Sequence, residues 1–294
     1  MIITCLAVIV LEAFAGVIAS VYVVIIILFD FYRRKNIRTG NKIRVALSIS
    51  NMLFSIVSSS GVFSGFFWPQ ISRATSTTYI LYSLLMYTIS CCSWLSASLS
   101  FFYFVKIVRL RSNAFLWVKS KIGSIVPWTI LVSEVVSLGS FLITLLSTAP
   151  HISQDSSNST TTILSLNMIS ENTMKSKLVH MIIIVTSLPL LTVIVTSIST
   201  IVVLKQHKHN MEKNMGPSGN VQLTTYQNAW CRMLRLMLFF IAFYVFLLFF
   251  YMADLSEQSL VFWICCIILT SFSAVQSILL VLGNQKLKGA WKEL

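Results

Sequence analysis

Seven apolar stretches, each near the length of a membrane crossing, constrain this chain more than any single motif does. A helix needs about 20 mostly apolar residues to span the hydrocarbon core of a bilayer. The charge-free runs 13–29, 45–72, 74–105, 135–154, 178–204, 236–253 and 258–285 reach or approach that length. They predict an all-α bundle of seven transmembrane helices, with spans at 5–29, 45–67, 77–105, 122–147, 178–204, 232–253 and 259–283. Only 11% of the 294 residues are charged, which leaves no room for a soluble domain beside seven spans. The whole chain, 1–294, is therefore expected to be one domain.

The joining segments set the orientation. Six basic residues lie in 33–44, five in 106–121, five in 205–235 and three in the tail, so these segments hold 19 of the 22 Lys and Arg. Only Arg73, Lys175 and Lys177 fall on the other side. Because Lys and Arg mark cytoplasmic loops, an odd number of spans places the N-terminus outside and the C-terminus in the cytoplasm. A net charge of +13 in a soluble protein would point to nucleic acid, but here membrane topology accounts for it, and no nucleic-acid partner is expected. Met1 runs into apolar sequence without a basic leader, so the first span is expected to act as the anchor.

Two connections stand out. The outer one, 148–177, is rich in Ser, Thr and Asn and contains Asn158-Ser159-Thr160, a glycosylation acceptor that faces the lumen in this orientation. It has no cysteine. Cys5, Cys91, Cys92, Cys231, Cys265 and Cys266 all fall in spans or at the inner face, so no disulfide is expected to hold the outer loop. The inner connection, 205–231, combines Lys205, Lys208 and Lys213 with Gly216-Pro217 and Gly219, which stop a helix running on from span five.

Three motifs at consistent positions carry a family likeness. Span three ends Trp94-Leu-Ser-Ala-Ser-Leu-Ser-Phe-Phe-Tyr103-Phe-Val-Lys106-Ile107, span five has Pro189 followed by Leu204-Lys-Gln-His207-Lys-His-Asn-Met211, and span seven closes with Gln276-Ser277 and Gly283-Asn284-Gln-Lys286-Leu287-Lys288. With Phe31-Tyr-Arg-Arg-Lys ahead of Ala46-Leu-Ser-Ile-Ser50, the chain resembles the bitter taste receptors, taste receptor type 2, from end to end. Four positions depart from the family pattern: Asn51 stands for its Arg, Ser20 for its Asn, Val203 for a Ser and Gln276 for a His. The vomeronasal type 1 receptors, a pheromone-receiving family, are the nearest alternative.

The resemblance implies a G-protein-coupled receptor of the plasma membrane that takes a small-molecule agonist and activates a gustducin-like heterotrimeric G protein. The ligand is expected in the outer half of the bundle, and family ligand positions carry onto Leu85 and Ile89 in span three, Phe243 in span six and Cys266 in span seven. Helical spacing puts Tyr82, Leu85, Met86 and Ile89 on one face of span three, where pocket lining and ordinary helix packing are both open. The apolar character of these positions implies an apolar or amphipathic ligand. At the inner end, the resemblance implies a G-protein contact built from Tyr103, Lys106, Arg109, His207, Met211, Arg232 and Arg235. Anchoring to anionic lipid is the alternative use of the same charge.

The sequence shows no GxSxG, no Gly-rich phosphate loop and no His/carboxylate metal spacing, so neither catalysis nor a cofactor is expected. His151, His180, His207 and His209 sit in loops or at span ends. Glu12 and Glu134 lie within spans, where an ionisable group costs at least a few kcal/mol unless neutral, paired or wet. A transporter path through them is a remote alternative. Hydrogen bonding to nearby Ser or Thr, such as Ser133 and Ser137 for Glu134, is the plainer expectation.

Overall fold

The computed structural model describes residues 2–35, 39–68, 75–108, 113–148, 160–214, 220–253 and 259–282. They form seven helices: α1 (Ile2–Arg34), α2 (Thr39–Phe67), α3 (Thr75–Ile107), α4 (Asn113–Thr148), α5 (Thr160–Asn214), α6 (Asn220–Met252) and α7 (Leu260–Leu282). In hydrocarbon every backbone N–H and C=O must be paired within the segment, and a helix does this locally. Six of the seven helices are long and apolar enough to cross a membrane. In α6 the apolar part is Leu234–Phe250. Those 17 residues rise about 26 Å, close to the roughly 30 Å of the hydrocarbon core.

The bundle is apolar outside and mixed inside. Leu11, Phe14 and Ile18 of α1 and Leu131, Val135, Leu138 and Leu142 of α4 are exposed, as lipid-facing residues are. Ser48, Ser90, Ser96, Ser100, Ser137 and Ser197 are buried between helices, where small side chains let backbones approach. Ser96 and Ser137 pair with their own helix, donating to the Cys92 and Ser133 carbonyls at 2.6 and 2.7 Å, as Thr200 does to the Thr196 carbonyl at 2.6 Å. That satisfies the hydroxyl without a partner helix.

Helix α3 is the axis of the bundle. It packs against α2, α4 and α5, while α1 lies against α2 and α7, and α6 bridges α5 and α7. Over its most apolar window α3 is 61% buried, against 22% for α1 and α4.

The helix ends differ from those expected. Helix α4 starts at Asn113 rather than 122, and α5 starts at Thr160 rather than 178. Between Thr160 and Leu188 there is no Gly or Pro to stop a helix, so the Ser/Thr/Asn-rich stretch continues as helix rather than loop. At the inner side α5 runs to Asn214 and α6 begins at Asn220, so the 205–231 connection reduces to 215–219, around Gly216-Pro217 and Gly219. Pro127 and Pro189 lie inside α4 and α5.

Candidate functional site

The predicted ligand positions divide between two places. Met86, Ile89 and Phe243 are buried in one cluster at the meeting of α2, α3, α5, α6 and α7, with Tyr82 and Leu85 packed against it. Cys266 lies in another cluster, with Leu6, Ile9 and Trp263 between α1 and α7. Aromatic rings hold the first cluster. Phe243 stacks on Phe272 with centroids 3.9 Å apart, Phe239 stacks on the same ring at 5.3 Å, and Phe54 meets it edge-on at 5.4 Å. Phe54 and Phe272 were not among the residues read from the sequence. Twenty phenylalanines fill this chain, and nothing local separates a core ring from a lipid-facing one.

This cluster is closed. A cavity of about 10 Å³, lined by Ser93, Thr186, Pro189, Leu190, Phe243 and Leu247, remains beside it, about the room of one water. A ligand entering here must move side chains, and Phe240 and Phe243 are the rings shared by the cluster and the cavity.

Below the rings, buried polar groups tie α1, α2, α3 and α7 together. The Ser20 and Ser277 hydroxyls share a hydrogen bond of 2.8 Å, and Asn51 Nδ2 donates to Ser277 Oγ at 3.3 Å. Cys92 Sγ donates to Asn51 Oδ1 at 3.4 Å, Gln276 Nε2 donates to Ser96 Oγ at 2.7 Å, and Ser55 pairs with Ser273. Three of the four positions that depart from the family pattern, Ser20, Asn51 and Gln276, thus lie in this buried polar layer. Gly16 allows α1 to approach it, since a Cβ there would stand 2.5 Å from Ser273 Oγ and 2.6 Å from Ser55 Oγ.

The two intramembrane acids have partners. Thr270 donates to Glu12 at 2.9 Å, the kind of Ser/Thr bond expected. For Glu134 the expected partners are not the ones found. Ser133 and Ser137 donate to the carbonyls of Thr129 and Ser133, and Tyr87 (2.8 Å) and Cys91 (3.3 Å) of α3 reach the carboxyl instead. Neighbouring hydroxyls on one helix find their own carbonyls first, leaving the long Glu side chain to cross to α3. Cys91 and Cys92 form no disulfide.

At the inner end, Tyr103 is held. Arg44 Nη2 donates to its hydroxyl at 2.5 Å, Arg44 Nη1 donates to Asn41 Oδ1 at 2.7 Å, and the guanidinium lies 5.8 Å from the Tyr103 ring centre. Lys106 is exposed, with its ammonium 5.8 Å from the Phe102 ring centre. Phe102 packs so close to Gly40 that a Cβ there would meet it at 2.7 Å, which locks α2 against α3. Arg235 is exposed midway along α6, at the beginning of its apolar part rather than at the helix start expected. His207 and Met211 lie on the inner part of α5 and Arg232 on α6, while Arg109 and Asn158 lie outside the described residues.

A seven-helix membrane bundle wound on its third helix, with a closed aromatic layer above a polar one and a basic rim at one end, is a receptor bundle of the G-protein-coupled type. The family model described as taste receptor protein (TAS2R) matches residues 1–294, and the chain belongs to that family, the bitter taste receptors. Its similarity to individual members is moderate but covers nearly the whole chain. It is 28% identical to taste receptor type 2 member 39 of Homo sapiens over 304 residues, covering 98% of this chain and 85% of that one. Member 39 of Macaca mulatta is also 28% identical, over 303 residues. Member 117 of Rattus norvegicus is 25% identical over 281 residues, covering 95% of this chain and 87% of that one. Membership makes this a multi-pass membrane chemoreceptor, with a small-molecule ligand and a G protein as the partners of its class, and sets aside the vomeronasal alternative.

Proposed function

We propose that this protein is a plasma-membrane bitter receptor that binds small apolar or amphipathic compounds between α3 and α6 and activates a gustducin-like heterotrimeric G protein. It acts as a single seven-helix domain, catalyses no reaction and uses no cofactor. The observation that carries this reading is the convergence of Met86, Ile89 and Phe243 on one aromatic cluster beside a small residual cavity. An apolar wall offers few polar anchors, so shape and apolar area select the ligand there. Tyr82 and Leu85 border the same cluster, and Cys266 belongs to a neighbouring region of α7 rather than to this wall. Tyr103, Lys106, Arg109, His207, Met211, Arg232 and Arg235 form the coupling face, and Asn158 is the glycan acceptor on the opposite side. The agonist selects a bundle arrangement in which the inner ends separate.

The test is a calcium-release screen of a chemically broad panel in cells supplied with a gustducin-like G protein. Apolar and amphipathic compounds should activate, and Phe243→Ala should change which of them do. Activation confined to highly charged compounds, or compound flux without nucleotide exchange, would overturn the reading.

A further inference from the structure

A cavity lies away from the aromatic cluster, between α3 and α4 on the lipid-facing side. It measures about 430 Å³ and is walled by Trp94, Trp117, Lys121, Ile125, Trp128 and Val132, among others. Trp117, Trp128 and Val132 are 61%, 68% and 48% exposed, so this groove opens to whatever surrounds the bundle. In a membrane-spanning chain that medium is lipid.

Its shape and charge select one kind of lipid. Its wall on α4 runs from Trp117 to Ser133, a rise of about 24 Å, with Lys121 one turn in from the Trp117 end. That is about half of a bilayer of roughly 40–45 Å with its headgroup layers, the depth of one leaflet. The charged end is positive, because Lys121 lines it and the sequence from 106 to 133 carries no acidic residue. Lys119 is turned to the Val108 carbonyl at 3.4 Å, while Lys121 is exposed in the groove wall. In the orientation set by the basic loops, on which this step rests, the charged end lies in the cytoplasmic leaflet, where anionic lipids concentrate.

We infer that the α3/α4 groove is a binding site for one anionic phospholipid of the cytoplasmic leaflet, its headgroup on Lys121 and its acyl chains laid along Ile125, Trp128 and Val132 against Trp94. Charge complementarity at one end separates this occupant from a sterol, which carries no anionic group. The site also joins the inner parts of the two helices that lead to Lys106, so a bound lipid bears on the coupling end of α3.

The full-length receptor is reconstituted in phosphatidylcholine vesicles containing equal small mole fractions of either phosphatidylserine or phosphatidylcholine brominated on the acyl chains, which quench tryptophan on contact. The brominated phosphatidylserine should quench more strongly, and the excess should vanish when Trp94 and Trp128 are both replaced by Phe. One lysine near a membrane surface contributes a preference of about fivefold. Lys121→Gln should therefore lower the excess about fivefold, and Lys121→Arg should keep it, which separates loss of charge from loss of fold. Equal quenching by the two lipids would overturn the inference. So would displacement of the quencher by a sterol, or quenching that falls as the protein-to-lipid ratio rises, which identifies a second copy of the chain in the groove. The measurement uses no agonist, no G protein and symmetric vesicles, so its outcome is independent of the proposed function and of orientation.

Discussion

One hydroxyl, that of Ser277 on α7, joins α1 and α2 by bonding to both Ser20 and Asn51. A buried Arg at position 51, the family's residue, would have to be neutralised by several acceptors; Asn51 is satisfied by Ser277 and the Cys92 thiol. Small neutral groups therefore replace a charged tie, and the network depends on Ser277. Interhelical hydrogen bonds in membrane bundles contribute about 0.6 kcal/mol on average. Ser277→Ala removes two and leaves the buried Asn51 Nδ2 without that acceptor, so it should cost about 1–2 kcal/mol, while Ser20→Ala should cost about half of that. Thermal unfolding of the solubilised receptor checks this, and equal effects of the two substitutions would show that Ser277 is not the shared node. None of these pairings was legible in the sequence. Ser20 and Ser277 are 257 positions apart, and Glu134 lies 47 from Tyr87, so only the packed bundle reveals which polar groups meet.

At the level of the helices, what the sequence makes legible is what the bilayer requires. Long apolar runs and basic loops follow from the thickness and polarity of the membrane, and all seven helices lie where those runs predict. The ends were not legible, because a helix can continue into water on polar residues. Helix α5 shows this: its 55 residues rise about 80 Å, more than twice the hydrocarbon core, and only Gly216-Pro217 marks where it cannot go on. The direction of each helix still follows from the loops. An epitope inserted at 215–219 should stay hidden on intact cells and become accessible after permeabilisation, and Asn158→Gln should remove an endoglycosidase-sensitive mass. Labelling of the epitope on intact cells would reverse the orientation and with it the assignment of both ends of the bundle.

Across the whole molecule, α3 contributes both to the aromatic cluster, through Met86 and Ile89, and to the inner rim, through Tyr103 and Lys106. Ile89 and Tyr103 are 14 residues apart, a rise of about 21 Å, so no side chain at one end touches a ligand at the other. Coupling must then pass through movement of the packed helices, and the two ends should be separable by mutation. Ile89→Trp overfills a buried cluster beside a cavity of about 10 Å³, so it should change the rank order of agonists by reshaping the wall. Lys106→Ala and His207→Ala leave that wall intact and should lower the maximal response to every agonist while rank order and binding persist. Concentration–response curves for several agonists, with ligand binding measured alongside, decide the matter. If Ile89→Trp scaled all agonists down equally and Lys106→Ala reordered them, the ligand would sit at the inner end and the proposed polarity of the receptor would be inverted.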